Sequence, residues 1–570
     1  MENQEPIFFV GVDVGTASVR AGLYSLASKS FRKTAILPIT VHKATVNVRN
    51  ADRTRTELIS QSSTEIWDAV CRTVRDVSVG VDERQIRGIG FDATCSLVVV
   101  GPGDAPMNVD GLLKSDGTGE EGIGSCLDII MWMDHRAKKE TEYINQKLAD
   151  HPCLKFVGGQ VSLEMEIPKL LWLKTHCPDI FHGASRFMDL CDFLSWKASG
   201  DTSRSMCSVV CKWLYQADPR QLTTHGWDRT IFSAIGLEEL CQENFAKIGT
   251  DIRVPGGKDQ LVTVSEKGSS ELGLTFGTPV GTSLIDAHAG GLALAFCGDG
   301  KNVTDWSTRL ALICGTSTCY MQCNREPVFV PGVWGPYYSA MVPQAWLNEA
   351  GQSAAGQFLD HIVKTHPFYL SNLKALGMSA CYNHLNQRAV EISQASQMED
   401  TGFLSNQLHV FPDYHGNRSP LSNPDFTGMI VGLTLDGESE LSLVKLYLAA
   451  MQGLAYESRW IIESLQNNNI RIGDLAICGG LANNPLFVKT LADVVGMPVL
   501  LPFIKESVML GAAILGATAS GALGGLEESA AVMAGSGSAV QPAEKSQLYH
   551  KARYHVFRKM ADFQLSLLDN

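Results

Sequence analysis

Two short stretches of this chain repeat one pattern, and the repeat constrains the fold more than any other feature. Residues 12–24 (VDVGTASVRAGLY) lead an apolar run into an acid and then through a Gly-Thr turn into a second apolar run. Residues 312–321 (LICGTSTCYM) repeat the Gly-Thr turn between two apolar runs. Each stretch predicts a strand, a tight turn and a second strand. Such a repeat indicates a duplicated α/β unit.

The segments around each turn extend the duplication. In the first half, residues 7–46 predict three β-runs, residues 62–77 a helix, and residues 86–100 a further β-run. The helix opens with Ser62 and Glu65 at capping-box spacing. In the second half, residues 442–466 predict a long helix, and residues 474–502 predict strand, glycine turn, helix and strand. The fold class is therefore α/β with two related domains.

The chain length of 570 residues exceeds what one hydrophobic core normally supports. We place the domain junction near residues 287–305, which gives an N-terminal domain of 7–291 and a C-terminal domain of 292–570. The glycine-rich segments 116–125 and 533–546 predict surface loops. The apolar segment 508–526 is diluted by Gly, Ser and Thr, so it predicts a buried helix of small residues rather than a membrane span.

Composition limits the partners and the compartment. The net charge of -13 argues against a nucleic-acid partner, so a bound phosphate must be held by backbone donors or a metal ion. The fifteen cysteines include no CxxC pair, and we expect buried thiols in a reducing compartment. With no visible secretion signal and no membrane partner, we expect a cytoplasmic protein. The sequence leaves the oligomeric state open, and a homodimer is one option.

Several common catalytic and nucleotide-binding motifs are absent or are matched only in part. Residues 117–122 (GTGEEG) match a dinucleotide-binding pattern, but two glutamates lie where a pyrophosphate would bind. Residues 88–93 (GIGFDA) have similar glycines but are not followed by a helix pattern. The sequence has no P-loop, HExxH or GxSxG motif, and His361 and His366 stand five residues apart, on different faces of a helix.

The Gly-Thr turns are suited to holding phosphate. In the first turn, Gly15 permits a tight bend, and the hydroxyls of Thr16 and Ser18 add donors to the free backbone N–H groups. Gly315, Thr316 and Ser317 repeat the arrangement. One such turn would be interpreted as an ordinary hairpin, but a pair indicates two phosphate grips. Asp13 would repel a phosphate unless a divalent cation lay between them, so it predicts Mg²⁺.

The segment 478–485 (CGGLANNP) predicts an adenosine site. Gly479 and Gly480 let a flat ring approach the backbone, and Asn483 and Asn484 precede a helix that opens at Pro485 with free N–H groups. A plain glycine turn between a strand and a helix is the alternative interpretation.

One acid is predicted to lie in the cleft. Residues 281–292 (GTSLIDAHAGGL) lead an apolar run to Asp286, which would accept a proton from an attacking hydroxyl. A helix N-cap is the alternative role for Asp286. His288 is interpreted as structural.

Together and in this order, these motifs resemble the FGGY carbohydrate kinases, which have the actin-like, ribonuclease-H-like ATPase fold. Residues 11–20, 312–319 and 478–499 resemble the two phosphate motifs and the adenosine motif, and residues 506–517 resemble the C-terminal signature. Arg20 belongs to the first of these motifs, and Asp286 matches the catalytic base. The resemblance implies a kinase that uses ATP and Mg²⁺, with two domains around a cleft.

The resemblance also implies a sugar class. Residues 94–98 (TCSLV) resemble the D-ribulose kinase group, and residues 131–137 (MWMDHRA) resemble the sugar-site motif of the family. The substrate contacts implied are Cys95, Ser96, Asp134, Arg136, Lys212, Asp286, Glu349 and Gln352. We therefore expect phosphorylation of D-ribulose to D-ribulose 5-phosphate. L-ribulose, xylulose and ribitol are alternative substrates, and a non-catalytic nucleotide-binding switch on the same fold is an alternative function.

Overall fold

The computed structural model describes residues 5–47, 55–110, 126–220, 225–257, 262–298 and 305–568. The predicted loop at 116–125 and the GTGEEG match at 117–122 lie outside these residues.

The first half contains fourteen strands in its described part. They are β1 (Phe8–Val14), β2 (Ser18–Ser25), β3 (Ser30–Pro38), β4 (His42–Asn47), β5 (Arg55–Gln61), β6 (Ile86–Ala93), β7 (Leu97–Val100), β8 (Ile129–Ile130), β9 (Arg186–Asp189), β10 (Arg204–Ser205), β11 (Ile252–Arg253), β12 (Val262–Thr263), β13 (Pro279–Val280) and β14 (Leu284–Ile285). The helices are α1 (Ser63–Ser78), α2 (Lys138–Lys147), α3 (Glu166–His176), α4 (Pro178–Gly183), α5 (Leu190–Ser199), α6 (Met206–Lys212), α7 (Arg229–Ala234), α8 (Glu238–Gln242), α9 (Glu266–Leu272) and α10 (Asp286–Phe296).

The second half continues with nine strands in its described part. They are β15 (Arg309–Cys314), β16 (Thr318–Asn324), β17 (Trp334–Tyr338), β18 (Trp346–Gln352), β19 (His409–Phe411), β20 (Met429–Val431), β21 (Asp474–Gly479), β22 (Val499–Pro502) and β23 (Gly537–Val540). The helices are α11 (Gly356–Lys364), α12 (Met378–Ala395), α13 (Glu440–Asn467), α14 (Pro485–Val495), α15 (Ser507–Ser520), α16 (Leu526–Met533) and α17 (Glu544–Leu568).

Two seven-stranded sheets share one plan. In the first sheet, the order is β12-β13-β6-β1-β2-β3, with β14 also beside β6. In the second, the order is β17-β18-β16-β15-β21-β22-β23. Both sheets place an antiparallel hairpin, β1–β2 or β15–β16, next to a parallel strand, β6 or β21. This shared plan confirms the predicted duplication of an α/β unit.

The two halves exchange helices. α10 ends the first half, yet it packs against β15 and β21 of the second sheet and against α15. α15 comes from the second half and covers β1 and β6 of the first sheet. The expected boundary between residues 291 and 292 lies within α10, so the packing units do not follow the order of the chain.

Glycines make the contact with α15 possible. A Cβ atom on Gly90 would lie 2.0 Å from the carbonyl oxygen of Ala512, and one on Gly88 would lie 2.1 Å from that of Gly516. The glycines of the rejected motif at residues 88–93 therefore serve helix packing. α15 is the buried helix of small residues that the sequence predicts. In the part of the chain that the structure describes, no helix is both long and apolar enough to cross a membrane.

The structure differs from the sequence prediction in four places. Residues 7–46 include four strands rather than three runs, because β4 follows β3 after a short break and pairs with β5 in a separate five-stranded sheet, β4-β5-β8-β7-β9. The single run predicted at 86–100 is two strands, since β6 and β7 belong to different sheets. Glu65 does not close a capping box with Ser62, because its carboxylate accepts from the backbone and hydroxyl of Thr40. The predicted loop at 533–546 contains β23, which pairs with β22.

Candidate active site

Three acids meet where parallel strands of the first sheet end. Asp13 near the end of β1 is the direct neighbour of Asp92 on β6, and Asp92 is the neighbour of Leu284 on β14. Asp286 follows β14 as the first residue of α10. Because the carboxyl ends of parallel strands share one edge, the three carboxylates converge there. The sequence analysis missed Asp92, although it ends an apolar run in an acid as Asp13 does.

The negative charges of Asp13 and Asp92, at the ends of β1 and β6, are only partly compensated by cations and hydrogen-bond donors. Burial raises the pKa of Asp13 to about 7, Asp286 and Glu506 add to the rise, and Arg20, 3.7 Å away, opposes it. Asp92 is fully buried, and neither of its carboxylate oxygens makes a well-formed hydrogen bond to a described residue. Burial and the charges of Asp13 and Asp286 hold the pKa of Asp92 well above its usual range. Arg20 only partly compensates the two carboxylates.

This donor set fits Mg²⁺. The ion prefers oxygen ligands and is usually held by one or two carboxylates together with substrate phosphates. Asp92 offers two oxygens that have no donor other than the neighbouring Asp13 carboxyl, and Asp13 offers a further carboxylate oxygen next to the first Gly-Thr turn. In the described residues these acids do not close into a compact cage of three ligand atoms, which suits an ion that keeps phosphate oxygens among its ligands.

The two Gly-Thr turns each close with a hydrogen bond from the glycine, although the first turn is one residue longer than the second. The N–H of Gly15 donates to the carbonyl of Ser18 at 3.0 Å, and that of Gly315 donates to the carbonyl of Ser317 at 2.9 Å. Each glycine N–H is thus used within its turn, and the donors left for a phosphate come from the residues that follow. Both turns are exposed or half-buried.

Neighbouring elements brace both turns. In the first turn, the hydroxyl of Thr16 accepts from Trp132 at 3.2 Å and its carbonyl accepts from Gln61 at 2.9 Å. In the second turn, the carbonyls of Gly315 and Thr316 accept from the N–H groups at the start of α11, from Gly356 and Gln357 respectively. Both turns are therefore held in place by hydrogen bonds to neighbouring elements.

A cavity of about 930 Å³ is lined by the end of β21 and by residues of β2, β3 and β22. Four of the residues that the sequence predicts for ATP, namely Arg20, Gly479, Gly480 and Asn483, line this cavity together, and the residues of the two Gly-Thr turns do not. The cavity also contacts Ile36 and Phe503, whose side chains are 61% and 70% exposed and so present free apolar surface. Its size is within the range of small-molecule sites.

The end of β21 can be built only with glycine. Gly479 has a φ of 88°, and a Cβ atom there would lie 2.4 Å from the carbonyl oxygen of Cys314. This close approach joins the adenosine segment to the strand that carries the second Gly-Thr turn. Asn484 has a separate, structural role, because its side chain accepts from the N–H of Phe487 and caps α14.

A second group of charged side chains lies in the cleft near Asp286. Glu349 accepts from Arg418 at 2.7 Å, and Arg418 also lies 3.8 Å from Glu164. Lys212 is 3.9 Å from Glu164. The cationic groups of Lys212 and Arg418 each lie 4.4 Å from the centre of the Trp334 ring. The sequence analysis predicted Lys212 and Glu349 and missed the other three.

The charges of this group hold each other in the ionised state. Burial alone would raise the pKa of Glu349, but the Lys212 and Arg418 cations bring it below its usual range. Burial opposes the charge on Lys212, but the Cys95 thiol and the carboxylates of Glu349 and Glu164 raise its pKa. The arrangement offers fixed donors and acceptors of the kind that sugar hydroxyls require.

Asp286 lies half-buried at the boundary between the two groups. Burial raises its pKa, and the N–H of Ala287, His288 and Lys212 oppose the rise. Its carboxylate accepts from Ala287 at 2.7 Å, the N–H of the next residue. Ile285 is the N-cap of α10 and Asp286 is the first helical residue, so the alternative N-cap role is not the one observed.

Other predicted sugar contacts are committed to internal bonds. The Asp134 carboxylate accepts from the N–H of Ile59 at 2.5 Å and from the Arg136 guanidinium at 2.7 Å, and Arg136 lies 3.2 Å from Asp110. Gln352 donates to Glu457 at 2.9 Å. Direct contact of these three predicted residues with a sugar stays a prediction.

The segment around the break between β6 and β7 links the first Gly-Thr turn to the charged group around Lys212. Ser96 is buried, and its hydroxyl accepts from the N–H of Trp132 at 3.2 Å. Trp132 in turn donates from its ring to Thr16. Cys95 is buried beside Lys212. The predicted sugar motif at 131–137 thus braces the first turn through Trp132.

Comparison with known proteins agrees with this geometry. A xylulose kinase from Rhodospirillum rubrum has the same fold with a TM-score of 0.74 and 16% identity, covering 99% of this chain and 100% of its own. A Plasmodium falciparum glycerol kinase with ADP matches with a TM-score of 0.73 and 14% identity, covering 98% of both chains. The fold is the two-domain, actin-like fold of sugar kinases.

Sequence relatives are more similar. An FGGY carbohydrate kinase domain-containing protein of Homo sapiens is 42% identical over 580 residues, which span 100% of this chain and 98% of the relative. The D-ribulokinase of Saccharomyces cerevisiae is 35% identical over 551 residues, which span 91% of this chain and 73% of the relative. Residues 124–293 and 310–520 match the N-terminal and C-terminal domains of the FGGY family of carbohydrate kinases.

The fold and the site together define a carbohydrate kinase, an enzyme that acts on a sugar and ATP. The chain belongs to the FGGY family of carbohydrate kinases.

Proposed function

We propose that this enzyme transfers the γ-phosphoryl group of ATP to the terminal hydroxyl of a free ketopentose, and that the ketopentose is D-ribulose. The observation that carries the proposal is the position of Asp286 between the two acids at the strand ends and the Lys212–Glu349–Arg418 group. The D-ribulokinase relative and the TCSLV segment at 94–98 support D-ribulose as the sugar.

The nucleotide would lie in the 930 Å³ cavity, with its base near Gly479 and Gly480 and its phosphates toward the two Gly-Thr turns. Backbone N–H groups of both turns would donate to the phosphates, and Arg20 would contribute charge. Mg²⁺ would be held by Asp13 with Asp92, and when bound it would offset negative charge on the β- and γ-phosphates. The residues of the two turns are proposed contacts of the triphosphate.

Asp286 would orient the terminal hydroxyl of the sugar and accept its proton as the new O–P bond forms and the bond from phosphorus to the leaving ADP oxygen breaks. Lys212 would donate to the keto or a hydroxyl oxygen, and Glu349 would accept from a hydroxyl. Since the transition state of phosphoryl transfer is loose, orientation is expected to be the larger contribution of Asp286.

The two proposed domains, 7–291 and 292–570, would close over both substrates. Closure excludes water and so limits hydrolysis of ATP without sugar. Arg20 would join the two parts of the chain, since it is 3.7 Å from Asp13 in the first half and 3.8 Å from Glu506, just before α15, in the second half.

A coupled ADP-release assay tests the proposal. We would supply Mg-ATP with D-ribulose, L-ribulose, D- and L-xylulose, ribitol or glycerol, and we expect turnover with D-ribulose. Turnover confined to another sugar would contradict the choice of D-ribulose and leave the kinase chemistry in place. Nucleotide binding with no sugar-dependent ADP release would instead support a nucleotide-binding switch.

The variant Asp286→Asn tests the base. It keeps the size of the side chain and removes the proton acceptor, so we expect kcat to fall by about 100-fold or more. Isothermal titration should find ATP binding nearly unchanged, because Asp286 is not among the residues that line the nucleotide cavity. Near-normal turnover would remove Asp286 from this role.

A further inference from the structure

We propose that Cys207, Cys211, His288 and Glu349 form a binding site for a soft divalent cation such as Zn²⁺, and that the ion inhibits the enzyme when it binds. Ligand atoms of Cys207, Cys211 and His288 all lie within 4.8 Å of one another. Within the described residues, no other group of three or more metal-ligating side chains of this kind is as compact. We call the four residues the thiol–imidazole cluster.

The thiol–imidazole cluster is built from three elements. Cys207 and Cys211 are four residues apart on α6 and so lie on one face of the helix. His288 is in the first turn of α10, and Glu349 is on β18. All four side chains are buried. Ligands supplied by separate rigid elements form a site with little flexibility.

The two separations that involve His288 match those expected in a tetrahedral metal site. The sulfur of Cys211 is 3.4 Å from Nε2 of His288, and the same nitrogen is 3.6 Å from Oε2 of Glu349. With Zn–S bonds of about 2.3 Å and Zn–N or Zn–O bonds of about 2.1 Å, neighbouring ligand atoms in a tetrahedral site lie roughly 3.4–3.8 Å apart. The Glu349 carboxylate is not within 4.8 Å of all three other ligand atoms, so it must move toward the thiols to complete the geometry.

Glu349 supplies an observation independent of the thiols. Its Oε1 accepts from Arg418, but its Oε2 is buried with no hydrogen-bond partner in the described structure and faces the imidazole of His288. Buried polar atoms normally find partners, so an orphan oxygen that faces the imidazole of the cluster points to a ligand. The carboxylate could bind a metal through Oε2 and keep its bond to Arg418 through Oε1.

The surroundings favour a site rich in negative charge. Two thiolates and a carboxylate would carry three negative charges, of which a divalent cation offsets two. The Lys212 cation follows Cys211 in the chain, and Arg418 bonds to Glu349, so both lie beside the remaining charge.

Inhibition follows from the ligands, and this step depends on the proposed function. Glu349 is a proposed acceptor for sugar hydroxyls, and Lys212 is a proposed donor. A metal ion bound through Glu349 would occupy this acceptor and restrict the nearby Lys212 donor. The ion should therefore compete with the sugar and not with ATP.

Cobalt provides a direct probe of the binding step. The metal-free, full-length protein would be titrated with Co²⁺ without sugar, and we expect the absorption bands of a tetrahedral cobalt–thiolate centre, which Zn²⁺ then abolishes. Cys207→Ser and Cys211→Ser should each lose most of the thiolate band. Cys381→Ser on α12 is the matched control, a buried thiol outside the cluster, and should keep it. Thermal melting would check that each variant folds.

X-ray absorption on the wild-type zinc complex does not depend on the variants. We expect two sulfur ligands at about 2.3 Å together with nitrogen or oxygen ligands. Absence of the cobalt–thiolate band, or a zinc centre without sulfur ligands, would overturn the site. An unchanged band in both cysteine variants of the cluster would do the same.

The kinetic test is separate. Zn²⁺ should raise the apparent KM for the sugar at least several-fold and leave that for ATP unchanged, a chelator should reverse the effect, and Cys211→Ser should escape it. Binding without this pattern would overturn the inhibitory role. If no sugar is turned over at all, the proposed function fails, and the spectroscopic result still decides whether the metal site exists.

Discussion

At the scale of single residues, the acids at the ends of β1 and β6 are a feature that folding alone would not favour. Asp13 and Asp92 are buried neighbours, and Arg20, 3.7 Å from Asp13, compensates their charges only in part. Such pairs cost stability when ionised and persist where a function uses them. Their energetic cost should therefore be visible in the protein without substrates.

Removal of one of these acids is expected to stabilise the substrate-free protein at high pH. When folding raises the pKa of an acid, the protein loses stability as the pH rises from the pKa of that acid in the unfolded chain to its pKa in the folded protein. For Asp13 these pKa values are near 3.9 and about 7. Asp13→Asn removes this loss. We expect melting temperature to rise by a few degrees at pH 8 and by about a third as much at pH 5, while activity falls sharply.

The matched control is Asp68→Asn, which removes an exposed acid from α1. Its melting temperature should follow that of the wild type at both pH values. If Asp13→Asn destabilised the protein equally at pH 5 and pH 8, the uncompensated charge would not be the source of the effect.

Arg418 is expected to set the affinity for the sugar. Its guanidinium bonds to Glu349 and lies over Trp334 at the same time, and a lysine ammonium lacks the planar fork that allows both contacts. Arg418→Lys should raise the KM for the sugar about 10-fold or more, with little change in that for ATP. Arg84→Lys, at an exposed ion pair, is the control. Steady-state kinetics with each substrate varied in turn would detect an unchanged sugar KM, which would contradict the assignment.

Sequence patterns identified the residues that follow apolar runs. Asp13 and Asp286 each end such a run, so the sequence places them at strand ends. Arg418 is different, because it lies in an irregular segment between β19 and β20, 69 residues from the glutamate that it contacts. No periodic pattern in the sequence predicts the contact between Arg418 and Glu349, because it depends on how a loop folds back over a sheet.

At the scale of elements, the break between β6 and β7 shows what a run of apolar residues cannot reveal. Residues 86–100 look like one strand because all of them are suited to a sheet, but the chain leaves the first sheet at Ala93 and joins another at Leu97. The bend between them carries Cys95 and Ser96. Tertiary pairing, which the local pattern does not encode, decides where such a run divides.

The contact between β6 and α15 should tolerate no side chain. A Cβ atom on Gly90 would meet the helix backbone at 2.0 Å, so Gly90→Ala must push α15 away from the sheet. We expect a destabilisation of about 3 kcal/mol or more, at the upper end of overpacking effects. Denaturant unfolding would measure it, with Gly437→Ala as the control because a Cβ there meets no atom within 4 Å. Equal stability of the two variants would rule out this close packing.

At the scale of the whole molecule, the two Gly-Thr turns come from different sheets and are proposed to hold one triphosphate. If so, they should respond together. With the sugar and a non-hydrolysable ATP analogue, amide hydrogen exchange should slow at residues 15–18 and at residues 315–318 in the same complex. Mass spectrometry of both segments would detect protection of one turn alone, which would contradict a grip from both sides.

The duplication and the positions of both Gly-Thr turns could be predicted from the sequence, because each copy repeats the same local pattern. The exchange of α10 and α15 between the halves could not. It places a helix of the second half on the first sheet, and only the fit of small residues across the contact specifies it.

This exchange has a consequence for biosynthesis. On the ribosome, β6 is complete at residue 93, but the helix that covers it begins at Ser507, more than 400 residues later. At bacterial or eukaryotic translation rates of about 5–20 residues per second, the glycine-lined face of the first sheet stays bare for roughly 20–80 s. A nascent chain in this state exposes the face of the first sheet that α15 later covers, so we expect chaperones to bind it. We also expect a fragment that ends at residue 291 to aggregate when it is produced alone.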